Sequence, residues 1–174
     1  MLFVVNTCYP SGITNSAMKL ILLMFPSPRL QNILQAFMMS ECTTSWVRLA
    51  MNPVSWLANR EKFPKSPGIY SMWSICPKEP QCIRVGIGAG KLGIYGRWFH
   101  SVSSHYRSFL EPQVNNGYHD FYTQMAFVFP EVDVVFIEHP TSCRYVRTIE
   151  KKMIAQCHPI WEQRHRGKLI WKQG

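Results

Sequence analysis

Two β-rich runs separated by a short turn constrain the fold of this 174-residue chain more than any other feature. Gly68–Ile75 and Cys82–Ile87 are rich in residues that favour strands, and Pro77-Lys78-Glu79-Pro80 between them is typical of a turn. The sequence therefore predicts a β-hairpin. The segment that follows, Gly88–Gly93, has too many glycines for regular structure and is predicted to be a loop.

The spacing of apolar residues predicts helices after that loop. Trp98, Val102 and Tyr106 recur at every fourth position within Ile94–Phe109, and they would form the apolar stripe of one helix. A second helix is predicted over Asp120–Val128, where Pro130 stops the chain from continuing as a helix.

A third strand and a last helix complete the pattern. Val132–Ile137 alternates in the manner of a strand, and Thr141-Ser142 is a typical cap for a helix that ends near Gln156. The order of elements, ββααβα, predicts an α+β fold with a small three-stranded antiparallel sheet flanked by helices.

The first part of the chain is predicted to be helical. Ser16–Met24 and Arg29–Met39 each fit a short helix, and Asn52-Pro53 is typical of the start of another helix that reaches Asn59. A linker rich in Lys and Pro, residues 60–67, follows. We therefore expect residues 1–62 to be a helical N-terminal extension and residues 63–174 to be the main domain.

Charge indicates a polyanionic partner. The chain has 19 Lys and Arg against 10 Asp and Glu, a formal net charge of +9, and its basic residues cluster within residues 91–107 and 144–172. Clustered cations in a chain with 13% aromatic residues favour nucleic acid as the partner.

No segment of the sequence indicates export or a membrane. The apolar run Leu20–Phe25 is far shorter than the about 20 residues that cross a bilayer, and Met1–Pro10 lacks the charged start of a signal peptide. The six cysteines form no C-x-x-C pair, which argues against a zinc ribbon. We expect an intracellular, cytoplasmic protein that uses no small-molecule cofactor.

Five short motifs occur in order between residues 66 and 163. They are Pro67-Gly68-Ile69-Tyr70, Arg84-Val85-Gly86, Gly96-Arg97-Trp98-Phe99-His100, Ile149-Glu150-Lys151-Lys152-Met153-Ile154 and His158-Pro159-Ile160-Trp161. In this order they resemble the motifs of the GIY-YIG nuclease family. The resemblance implies a GIY-YIG-like domain over residues 63–174. It also implies a metal-dependent DNA endonuclease, of a size that suits a phage or a mobile element.

The resemblance also implies roles for individual side chains. Glu150 would hold Mg²⁺ or Mn²⁺, since one carboxylate with waters and phosphate oxygens is a normal shell for magnesium. Arg97 and His100, three positions apart on a predicted helix, would stabilise charge on the phosphate. Tyr70 would orient or deprotonate the attacking water, with Tyr95 as the alternative.

Further basic residues are expected to contact the DNA. Lys and Arg side chains commonly bind backbone phosphates without reading sequence. The residues predicted for this role are Arg84, Lys91, Arg107, Arg164 and Arg166.

Two positions depart from the family pattern. Arg84 stands where the second motif begins with a tyrosine, and Glu162 stands where an asparagine follows the late aromatic residue. Because a guanidinium stays protonated, Arg84 cannot act as a base. The sequence therefore leaves two functions open: an endonuclease whose water is handled by Tyr70 or Tyr95, and a non-catalytic nucleic-acid-binding module on the same fold.

Two other classes fit the sequence less well. Gly88-x-Gly90-x-x-Gly93 matches a dinucleotide-binding fingerprint, but it follows the second arm of a predicted hairpin rather than the first strand of a βαβ unit. A thiol hydrolase would have to use Cys157 and His158, whereas catalytic pairs of this kind are normally distant in sequence.

Overall fold

The computed structural model describes residues 43–75, 80–139, 143–164 and 168–171. The helices predicted over residues 16–24 and 29–39, most of the predicted turn and the cap at 141–142 lie outside these ranges. The described chain is an α+β fold built on an antiparallel sheet, which confirms the predicted fold class.

The main sheet of the described chain has four strands. Its strands lie in the order β1-β4-β2-β3, and each neighbouring pair is antiparallel. A separate two-stranded ladder, β5 with β6, follows the last helix. The bounds are β1 Thr43–Ala50, β2 Gly68–Ser74, β3 Cys82–Gly88, β4 Glu131–Glu138, β5 Trp161–Arg164 and β6 Lys168–Trp171.

Strand β1 corrects the prediction of a three-stranded sheet. It pairs along its whole length with β4, from Thr43 opposite Glu138 to Ala50 opposite Glu131. This strand belongs to the segment that was expected to be a helical extension. The helix after it also packs into the main core through Trp56. In the described chain, residues on both sides of position 62 therefore share one sheet and one core.

Five α-helices are described, together with a 3-10 turn over Arg60–Lys62 and a π-helical turn over Gly96–His100. Helix α1 begins as predicted, because the side-chain oxygen of Asn52 accepts a hydrogen bond from Ser55 N at 2.8 Å. The bounds are α1 Pro53–Ala58, α2 Gly93–Tyr95, α3 His105–Leu110, α4 Asn116–Val128 and α5 Cys143–Cys157.

The prediction of one continuous helix over residues 94–109 is wrong. The backbone is extended at Ser101 and again at Ser104, whose hydroxyl caps α3 by accepting from Arg107 N. Val102, which was placed on the apolar stripe, lies in this break and is 79% exposed. The capping interaction of Ser104 therefore outweighs the recurrence of apolar residues at every fourth position.

The sheet separates two apolar clusters. Helices α1 to α4 cover one face, where Tyr70 and Met72 of β2 pack against Trp56 and Trp98. Helix α5 covers the other face. The residues buried there include Ile69 and Trp73 of β2 and Val146, Ile149 and Met153 of α5.

Arg84 points to the face of the sheet that α1 to α4 cover, next to a β-bulge in β3. Met72 lies opposite Arg84, but the next residue, Trp73, lies opposite Cys82, so that Ile83 is an extra residue in β3. Ile83 packs in the same cluster as Met72. Because directly opposed residues share a face of the sheet, Ile83 and Arg84 both point to that face.

Strand β3 is an edge of the sheet, and the chain after α5 folds around it. The turn contains His158, which has a positive φ of 46°. Ile160 N then donates to the Cys82 carbonyl at 2.9 Å. Trp161 stacks on Phe121 of α4, with 3.9 Å between the ring centroids. The segment therefore passes from the α5 side to the cluster on the opposite face.

Candidate active site

A cavity of about 450 Å³ opens at this edge, and we call it the β3-edge cavity. Tyr70 of β2, Arg84 of β3, Arg97 of the π-helical turn and Glu150 of α5 all line it, together with Lys151, Trp161 and the backbone of β3. The fold thus brings Tyr70, Arg97 and Glu150, three of the predicted catalytic residues, to one concave surface.

Glu150 reaches the β3-edge cavity from the α5 side of the sheet. Its neighbour Ile149 is buried against the sheet, which leaves the Glu150 carboxyl partly buried at the cavity wall. Burial raises the pKa of this carboxyl, although the positive charges of Arg84, Arg147 and Arg97 act in the opposite direction. Among the described residues, no other carboxylate lines this cavity.

Arg84 is a buried cation in the wall of the β3-edge cavity. It is 4% exposed, and its guanidinium carbon lies 3.9 Å from the Trp161 ring centroid and 4.8 Å from that of Tyr118. Burial acts to lower its pKa, but interactions with Tyr122, Tyr70 and Tyr118 outweigh burial and raise it, so the group stays charged. Its Nε has no hydrogen-bond partner in the described part of the chain. Arg84 is therefore a fixed, buried positive charge in the wall of the β3-edge cavity.

The hydroxyl of Tyr118 joins the two arginines of the cavity. Arg84 Nη2 donates to it at 3.1 Å and Arg97 Nη2 at 3.2 Å. Burial acts to raise the pKa of Tyr118, but the nearby charges and hydrogen bonds of Arg84 and Arg97 lower it overall. One phenol oxygen thus orients both guanidinium groups.

Tyr70 lies deeper than the arginines and is bonded to a histidine. Its hydroxyl is 2.5 Å from His105 Nε2, and its side chain is almost fully buried. Burial lowers the pKa of His105 well below 6.5, and the charges of Arg84 and Arg97 act in the same direction, so the imidazole is neutral. Burial also raises the pKa of Tyr70. The pair is therefore a neutral phenol beside a neutral imidazole.

Gly86 provides the space that Tyr70 occupies. The two residues are directly opposite in the β2–β3 ladder. A Cβ atom on Gly86 would collide with the hydroxyl and the ring of Tyr70. The glycine of the second motif is therefore required by the tyrosine of the first.

A second cavity, of about 410 Å³, shares Arg97 with the β3-edge cavity, and we call it the glycine-loop cavity. The loop residues Gly90 and Lys91 line it, as do His100 and Ser101. His100 does not line the β3-edge cavity. The structure therefore does not bring His100 to the same cavity as Glu150, contrary to the sequence-based expectation.

Four other predicted residues lie elsewhere or outside the described side chains. Tyr95 lines neither cavity, and its ring packs on Phe99 with 5.5 Å between centroids. Arg107 also lines neither, and it pairs with Glu111 at 3.4 Å. Arg164 lies on β5, whereas Arg166 is outside the described residues. Of the two candidate tyrosines, Tyr70 is the one that reaches the β3-edge cavity.

Sequence reasoning missed Tyr118 and His105. Tyr118, Tyr122 and Met125 are buried on one face of α4. Their helical spacing is a sequence signal from which this buried face could have been predicted. No local pattern marks His105, because its partner Tyr70 is 35 positions away.

No protein-family model matches the chain, and comparisons with curated proteins and with solved structures give no match either. Within residues 43–75, 80–139, 143–164 and 168–171, no group of three or more His, Cys, Asp or Glu gathers where it could hold a metal ion. A divalent cation at Glu150 would therefore take most of its ligands from water and phosphate, as Mg²⁺ commonly does. No helix of the described residues is long and apolar enough to cross a bilayer.

Proposed function

We propose that the chain is a metal-dependent DNA endonuclease that hydrolyses phosphodiester bonds in the β3-edge cavity. The observation that carries the proposal is the meeting of Tyr70, Arg97 and Glu150, which three distant elements bring to this cavity. Phosphodiester hydrolysis needs a held water, positive charge at the phosphate and a ligand for a cation. Each need has a side chain in the cavity, and the net charge of +9 suits a polyanionic substrate.

Glu150 would hold the cation, Mg²⁺ or Mn²⁺. When bound, such a cation polarises a phosphoryl oxygen and lowers the pKa of a coordinated water. The partly buried position of Glu150 suits this role, since its carboxylate faces the cavity rather than an exposed helix surface.

Arg97 and Arg84 supply charge for the phosphate. Arg97 presents a fork of donors, and Tyr118 fixes the direction of that fork by accepting one of its hydrogen bonds. Arg84 adds a second positive charge whose Nε donor is unpartnered in the described chain. Donors that are already oriented stabilise developing charge without reorganising during the reaction. In this proposal Arg84 supplies positive charge to the phosphate and does not act as a base.

Tyr70 would orient the attacking water. In the tautomer of His105 with the proton on Nδ1, Nε2 accepts from the Tyr70 hydroxyl. The phenol oxygen is then able to accept a hydrogen bond from water. Because burial raises the pKa of Tyr70, we infer that it positions the water and does not remove its proton.

A non-catalytic nucleic-acid-binding module is the second candidate function. The observation that favours it is the same Tyr70–His105 contact, because it buries the hydroxyl that the chemistry would use. Arg84 also introduces a charge that suits binding as well as catalysis.

Incubation of supercoiled plasmid with the purified chain and Mg²⁺ decides between the two. We expect nicking by the wild type, and a fall in rate of about 10²-fold or more in Glu150→Gln and Arg97→Met. Glu61→Gln, at an exposed glutamate that lines neither cavity, is the matched control. If the plasmid stays intact but the wild type still retards it on a gel, the nuclease proposal fails and the binding module is the better account.

A further inference from the structure

The glycine-loop cavity has the charge of an anion-binding site. Three cationic or protonatable side chains line it, those of Lys91, Arg97 and His100, with the hydroxyl residues Ser101 and Ser103 beside them. No Asp or Glu is among the described residues of its wall. Backbone from a glycine-rich loop completes the wall, and such backbone allows close approach of a ligand.

One buried polar atom of this wall has no partner. The Ser101 hydroxyl is buried and makes no hydrogen bond in the described part of the chain. Buried polar groups are nearly always paired with protein, water or a ligand. The Ser101 hydroxyl is therefore a polar group in the cavity wall that no contact within the described chain uses.

Arg97 connects the two cavities. Its Nη2 donates to the Tyr118 hydroxyl at 3.2 Å, and its Nη1 lies 3.5 Å from the Ser103 carbonyl oxygen, with which it makes a long hydrogen bond. These two contacts hold the guanidinium at the boundary, where it lines both cavities. An anion at Arg97 in the β3-edge cavity would thus have a second anion-binding space next to it.

We propose that the glycine-loop cavity binds the phosphate next to the scissile one in the same DNA strand, with Lys91 and His100 as its cationic contacts. This inference rests on the proposed function, because it takes the phosphate at Arg97 and Glu150 as the scissile one. It assigns His100 to holding the strand, away from the carboxylate. Cleavage would then require a strand that carries at least two consecutive phosphates.

Short thymidine oligonucleotides test the proposal directly. A dinucleotide has one phosphodiester and a trinucleotide has two, so their difference in affinity isolates the neighbouring phosphate. Competition against a fluorescent oligonucleotide, in buffer with a chelator to prevent cleavage, gives both affinities. In the wild type we expect the trinucleotide to bind about tenfold more tightly, as for a charge-assisted phosphate contact. In Lys91→Met the gain should fall to about twofold, since the trinucleotide still offers two phosphates to one site.

Two variants complete the design. His100→Gln should also reduce the gain, whereas Lys62→Met, at a lysine that lines neither cavity, should keep the wild-type ratio. Lys91 and His100 are both exposed, so neither substitution removes a core contact. A wild-type gain of only about twofold, or an equal gain in wild type and Lys91→Met, overturns the proposal.

The outcomes separate this proposal from the proposed function. If Lys91→Met loses the trinucleotide gain but the wild type leaves the plasmid intact, the phosphate site is supported and the nuclease is ruled out. If plasmid cleavage depends on Glu150 but Lys91→Met leaves the trinucleotide gain unchanged, the nuclease is supported and the neighbouring-phosphate site is ruled out. A rise in melting temperature with inorganic phosphate that Lys91→Met abolishes, without any trinucleotide gain, assigns the cavity to free phosphate and also overturns the proposal.

Discussion

The guanidinium of Arg84 lies over the indole ring of Trp161, with 3.9 Å between the guanidinium carbon and the ring centroid. Trp161 itself stacks on Phe121 in the core, so the ring that contacts Arg84 is held rigidly. The chain therefore keeps a permanent positive charge inside the wall of the β3-edge cavity. Burying a cation is costly unless it is compensated, and an anionic ligand in the cavity would provide that compensation.

Replacing Arg84 should separate stability from function. In Arg84→Met the lost stacking and hydrogen bonds are offset by the removal of a buried charge, so we expect the free energy of unfolding to change by no more than about 1 kcal/mol. Plasmid nicking should fall by about 10²-fold. Urea unfolding and the plasmid assay measure the two effects. If Arg84→Met lowers the free energy of unfolding by much more than this, yet the folded variant nicks plasmid at the wild-type rate, then Arg84 serves the core alone.

Removing the Tyr118 hydroxyl should release both arginines. Because Arg84 and Arg97 lower the pKa of Tyr118, its ionisation should appear in an ultraviolet titration below the ordinary value of 10.0. This early ionisation should be absent from Tyr118→Phe, and nicking should fall about tenfold as the two guanidinium groups lose their orientation. Tyr106→Phe, at a partly buried tyrosine of the same cluster, is the control. Persistence of the early ionisation in Tyr118→Phe would assign it to another residue.

A methyl group at position 86 should disturb Tyr70 across the hairpin. Gly86→Ala would collide with the Tyr70 ring and hydroxyl, and overpacking of this kind costs about 1–3 kcal/mol of unfolding free energy. Gly90→Ala is the matched control, because no atom lies within 4 Å of an added Cβ there. Combining Gly86→Ala with Tyr70→Phe should restore part of the loss, since the two residues are in contact. Strictly additive losses would contradict the collision.

His105 should make the protein acid-sensitive. Its pKa is well below 6.5 in the folded chain and returns to its ordinary value of 6.5 on unfolding, so the unfolded state binds more protons below that pH. Stability should therefore fall by up to about 1 kcal/mol per pH unit as the pH drops below 6.5, until the folded pKa is reached. Urea unfolding at a series of pH values measures this slope. His105→Gln should make it shallower, and His100→Gln provides the same substitution at an exposed position. An unchanged slope in His105→Gln would assign the acid sensitivity to other groups.

Local patterns in the sequence were enough to predict the β2–β3 hairpin, the capped start of α1 and strand β4. Each of these depends on residues within a few positions of one another. The break between the π-helical turn and α3 was missed, because the Ser104 cap competes with an apolar spacing that favours a continuous helix. Strand β1 was missed because its partner β4 lies more than 80 positions away.

The amino-acid sequence alone indicates the chemical inventory of this protein: a basic chain with Tyr70, Arg97 and Glu150 in an order that resembles the GIY-YIG nucleases. That family assignment stays a prediction. Which of these side chains meet depends on the folded chain. The fold buries Arg84 against Trp161, joins it to Arg97 through Tyr118, and places His100 in a separate cavity. These outcomes depend on how distant segments dock at the β3 edge, and a pattern of neighbouring residues does not record long-range docking.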